Sequence, residues 1–71
     1  MNRDLLLRNL AQAERHVARG NEHISRQESL IAEMDRRGHD TVDARRLLDT
    51  LRETQALHRQ DVGRLLRELE N

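Results

Sequence analysis

Four histidines in 71 residues are the side chains whose chemistry could go beyond packing. Imidazoles and carboxylates are ligands for zinc and related transition metals, and His16, His58 and Asp61 form an admissible set if two helices lie side by side. The pattern is weak. No two histidines have the i, i+4 spacing that aims a pair of rings at one ion, and no HExxH run occurs. The competing reading makes them members of polar layers between helices, with Gly20 making room for the His58 ring and Asp61 holding His16. On that reading the chain takes no metal and no cofactor.

Nucleophilic chemistry fares no better. Ser25 and Ser29 have no histidine placed to activate them, and carboxylates spread along exposed helix faces lack a pocket to desolvate them. The expectation is a protein that is not an enzyme. Polynucleotide binding has one feature in its favour, because Arg8, Arg15, Arg19 and Arg26 share an outer side of one helix. Glu14, Glu22 and Glu33 interleave with them, and there is no aromatic residue to stack a base. Thirteen basic residues, all arginine, balance thirteen acidic ones, which leaves no general pull toward nucleic acid or an anionic membrane.

The elements that must position these residues are helical. Leu6, Leu10, Ala13, Val17, Gly20, Ile24, Gln27, Ile31 and Met34 step by fours and threes, which places them in one seam along one helix face. Ala44, Leu48, Leu51, Gln55, His58, Val62, Leu65 and Leu69 repeat the period in a second arm. Between the arms lies Gly38-His39-Asp40-Thr41. Arg36 and Arg37 suit a helix C-terminus, Gly38 suits the left-handed position just beyond it, and Asp40 or Thr41 can cap the next helix. At the start, Asn2 or Asp4 can do the same for the first arm. A connection this short favours antiparallel neighbours. The predicted fold is therefore all-α: a single domain over 1–71, forming an antiparallel helical hairpin of helices at about 4–37 and 41–70. Gly63 falls on the exposed side of the second helix.

Folding the arms about residue 39 predicts a register that sets Gly20 against His58, Ile24 against Gln55 and Gln27 against Leu51. The flanking charges agree, with Asp35 opposite Arg45, Glu28 opposite Arg52, and His16 opposite Asp61. Gln27, Gln55 and His58 are polar interruptions of the seam, and such layers fix register and oligomeric state. One apolar set is left over. Leu30 and Leu47 lie together on one flank, and Thr50, Thr54 and Leu57 extend it along the second helix. A second hairpin laid against that strip would complete a four-helix bundle, so a homodimer is expected, with Leu30, Leu47, Thr50, Thr54 and Leu57 as its interface.

Two helical-hairpin activities are poorly matched. Dimerisation hairpins of histidine kinases carry a histidine followed by an acidic residue on the first helix, whereas His16 precedes Val17, His23 precedes Ile24, and the His39-Asp40 pair lies in the bend. Hairpin phosphatases of response regulators use a Ser-Gln-Glu-Leu-Asp motif, which Ser25-Arg26-Gln27-Glu28-Ser29-Leu30 only echoes. A broader likeness covers about residues 10–66. The string Ala13-Glu14-Arg15-His16-Val17, Gly20, His23-Ile24, Arg26-Gln27, Leu30-Ile31, Gly38-His39-Asp40-Thr41, Leu47-Leu48 and Leu57-His58 resembles a recurrent type of short protein of alphaproteobacteria such as the rhizobia. That resemblance implies a bacterial cytoplasmic helical protein and transfers no activity, cofactor or site residue.

No stretch reads as a signal peptide, since Leu5-Leu6-Leu7 is flanked by charges, and none approaches the ~20 apolar residues of a membrane span. Cysteine is absent, which excludes disulfides and thiolate metal sites. The expectation is a cytoplasmic interaction or regulatory module acting as a homodimeric bundle, without membrane contact. The alternatives are a small dimeric nucleic-acid-binding protein and a monomeric hairpin that holds a helix of another protein.

Overall fold

The computed structural model describes residues 2–71. Two helices, α1 (Arg3–Arg36) and α2 (Val42–Glu70), lie against each other as an antiparallel hairpin. The resulting rod measures 53 × 14 × 13 Å. No helix is long and apolar enough to cross a membrane.

Local chemistry accounts for both ends of each helix. Asn2 caps α1, its Oδ1 accepting from the Asp4 amide at 2.7 Å. At the other end Gly38 takes φ +74°, a left-handed conformation that a β-carbon would strain. The amide of Gly38 then donates to the Asp35 carbonyl at 3.1 Å and that of His39 to the Met34 carbonyl at 2.9 Å, so two of the last carbonyls of α1 are satisfied in a Schellman turn. Glu33 accepts from both Arg36 and Arg37, which holds the two cations over the negative end of the helix dipole. Thr41 holds the N-cap position of α2 without a side-chain capping bond, and Asp40, one residue earlier, has Oδ1 accepting from the Val42 amide at 2.9 Å. The Thr41 hydroxyl instead accepts from Arg45 Nε.

The heptad seam is the contact surface. Every seam residue of both helices is buried or half-buried, with Leu6, Ala13, Ile31, Leu48, Gln55 and Leu65 the deepest. Leu6, Ala13 and Leu65 form a cluster at the open end, completed by Leu10, Val62 and Leu69. The core is thin, a single file of side chains with no second layer behind it.

Two of the expected flank pairs form: Arg45–Asp35 at 2.8 Å and Arg52–Glu28 at 3.2 Å. Arg59 continues the ladder by donating to Asn21 Oδ1 at 3.2 Å. All three are exposed and worth under about 1 kcal/mol each, so they align the helices more than they hold them together.

Within the expected register the polar seam residues reach partners other than the ones set opposite them. The Gln55 side chain lies over Gly20, in a recess that His58 also borders, and its amide reaches Val17 and Asn21. Gln27 reaches past Leu51 to donate to the Ala44 carbonyl at 2.9 Å. The arms have not slipped, since Arg45–Asp35 and Arg52–Glu28 are the pairs of the expected register. What differs is where the glutamine amides reach, because each must find an acceptor when removed from water.

Gly63 is half-buried, and a β-carbon there would meet only the tip of the Arg67 side chain, at 3.4 Å. Gly63→Ala is therefore expected to raise stability by about 1 kcal/mol, the helix-propensity difference. Thermal denaturation checks this, and a lowered melting temperature would mean that the site needs glycine for a reason other than helix propensity.

Candidate interaction surface

Along one side of the seam the heptad pattern turns apolar where charges would be usual. Leu30 on α1 and Leu47 on α2 are 50% and 49% exposed, and Leu57, farther along α2, is 63% exposed. Thr50 and Thr54 lie between them and are also exposed. The hairpin thus leaves the predicted strip in water, because two helices can cover only one face of each other.

Next to this strip a recess of about 200 Å³ opens between the helices, bordered by His16, Arg19, His23, Thr54 and His58 over a floor of Gly20 and Gln55. The rings of His16 and His58 face each other with centroids 5.2 Å apart and planes tilted by 42°. His58 is half-buried, and its Nδ1 is inaccessible without a hydrogen-bond partner. Asp61 does not join them. Its carboxylate accepts from Arg64 at 2.6 Å, one turn along its own helix, so the expected His16–Asp61 contact gives way to a His16–His58 contact.

Of the metal candidates His16, His58 and Asp61, the same geometry brings the two histidines together and leaves Asp61 apart. Among the described residues no three His, Cys, Asp or Glu side chains converge as ion ligands. Arg64 sits between Asp61 and Glu68, and its pKa is raised further above an already high value, chiefly by the hydrogen bond to Asp61. The carboxylate that would complete a metal site is thus committed to a permanent cation.

Gln55 is the buried polar centre of the hairpin, 3% exposed. Its amide nitrogen donates at 2.8 Å to the Val17 carbonyl and at 2.8 Å to Asn21 Oδ1. Its Oε1 has no conventional donor and rests against Gly20, where a β-carbon would come within 1.9 Å. The glycine α-hydrogen takes that place, a weak Cα–H···O contact that only glycine allows.

The opposite flank carries the ion-pair ladder near the bend and becomes apolar toward the open end. Leu7 and Leu66 are 43% and 46% exposed there, and a shallow groove runs between Glu14, Ala18, Gly63 and Leu66. Sequence reasoning missed this second patch. Its signal was present, since Leu7 and Leu66 occupy the heptad position that carries Glu28, Asp35, Arg45 and Arg52 elsewhere in the two helices.

On the outer side of α1, Arg26 pairs with Glu22 at 3.8 Å, so the arginine stripe is partly neutralised on its own helix. No family model matches the chain, and neither a curated protein nor a solved structure matches it significantly.

Proposed function

We propose that this chain is a non-enzymatic interaction module that works as a homodimer, two hairpins closing into a four-helix bundle over the strip Leu30, Leu47, Thr50, Thr54 and Leu57. The observation that carries the reading is the mismatch between surface and mass. The hairpin exposes 5442 Å², whereas a compact monomer of 8.4 kDa exposes about 4,600 Å². The surplus, about 800 Å², is what one partner contributes to a dimer interface of ordinary size. A single-file core supplies little stability to a chain this short, and a second hairpin would turn the exposed flank into a second core layer.

Sedimentation of the purified protein across micromolar concentrations tests the proposal. The expected result is a dimer that Leu30→Glu with Leu47→Glu converts to a monomer or an unfolded chain, because four charges would be buried in the closed bundle. A wild-type monomer at every concentration overturns it. The reading of second rank, a dimer that also contacts polynucleotide, is favoured by Arg8, Arg15 and Arg19, for which no carboxylate partner occurs among the described residues. The zero net charge and the absence of aromatic residues weigh against it.

A further inference from the structure

Two copies can close over the strip in two ways. Either each α1 lies over the other copy's α1 with the bends at opposite ends, or each α1 lies over the other copy's α2 with both bends at the same end. Resting on the dimeric reading above, we infer that the second copy lies with its bend beside the first, α1 of each hairpin over α2 of the other.

The argument is charge complementarity along the strip. The α1 side is basic: His16, Arg19, His23 and Arg26 follow one another on it, and Arg19 has no carboxylate partner among the described residues. The α2 side is acidic toward the open end, where Asp61 and Glu68 share the single cation Arg64. Laying α1 over α1 would bring the basic stretch from His16 to Arg26 of one copy against the same stretch of the other in a dehydrated seam, where like charges repel most strongly. Laying α1 over α2 sets the unpaired Arg19 near the second copy's Asp61, and the aliphatic stem of Arg19 over the second copy's Leu57.

The apolar residues fit the same choice. Leu30 and Leu47 stand at nearly the same height on the hairpin, on either side of the seam. With the bends together, Leu30 of each copy meets Leu47 of the other, and four leucines make one closed layer. With the bends apart, Leu30 lies toward Arg19 of the second copy. The next layer away from the bend pairs His23 with Thr54 across the interface, so the recess bordered by His16, His23 and His58 lies at the centre of the bundle.

The bend offers a direct test, because the chain has no cysteine and His39 is exposed outside both helices. A spin label on His39→Cys should give an interspin distance of about 2 to 3 nm, two label arms added to a helix spacing of about 1 nm. The opposite arrangement separates the labels by about the 53 Å length of the rod. A second label on Asn71→Cys should also read short, which end-to-end contact through the bends alone would not give. A long distance at residue 39 in a protein that sediments as a dimer overturns the arrangement and leaves the dimer standing. A monomeric mass with no intermolecular distance at either label overturns the dimer itself.

Discussion

Leu65→Ala is expected to cost about 2–5 kcal/mol of folding free energy, which is most of what a 71-residue hairpin has to lose. Leu65 is 1% exposed and packs against Leu6, Ala13, Leu10, Val62 and Leu69, so truncation leaves a cavity in a file of side chains with nothing behind it to collapse inward. The neighbouring residue is the control. Leu66 is 46% exposed on the flank, and Leu66→Ala should change stability by under about 1 kcal/mol. For a chain of this length a kilocalorie moves the melting temperature by about 4–8 °C, so the two adjacent leucines should differ by at least about 4 °C in a thermal melt, and by over about 10 °C in the middle of these ranges. Equal losses at the two positions would mean that the seam has the wrong phase.

That phase was legible because leucine, isoleucine and valine recur at a spacing that only a helix face satisfies, and the structure puts each seam position inside. The bend was legible for an equally local reason. Gly38 takes the one conformation for which glycine is needed, and Asp40 accepts from the first amide of the helix that follows it. Register was legible in the flanking charges, since Arg45–Asp35 and Arg52–Glu28 form as their spacing predicts. The partners of the polar seam residues were harder to read. Gln27 and Gln55 satisfy their amides against carbonyls of the facing helix. Backbone acceptors carry no trace in the sequence. The pairing of His16 with Asp61 failed for a different reason, one the sequence does carry: an aspartate with an arginine one turn away on its own helix has a nearer partner than a histidine across the seam.

Gly20 carries the second large prediction, and its sign is the informative part. Alanine at a helix interior is ordinarily worth about 1 kcal/mol over glycine. At Gly20 the added β-carbon would stand 1.9 Å from Gln55 Oε1 and 2.6 Å from Cδ, so the amide group must move. A surface glutamine would swing aside at little cost. Gln55 is 3% exposed and holds both Val17 and Asn21 through one nitrogen, so moving it breaks two interhelical hydrogen bonds and strands a buried amide. A stranded buried polar group costs about 1–3 kcal/mol each time, which outweighs the gain in helix propensity. Gly20→Ala should therefore destabilise the hairpin, whereas Gly63→Ala stabilises it. In a Gln55→Ala background the obstruction is gone, and Gly20→Ala should turn neutral or favourable. The resulting coupling between the two sites should exceed about 1 kcal/mol in a double-mutant cycle read by chemical denaturation. Additive effects would show that Gln55 does not depend on the glycine, and a Gly20→Ala protein more stable than the parent would show that the amide is free to leave. Either result would show that the glycine is not what admits the buried amide.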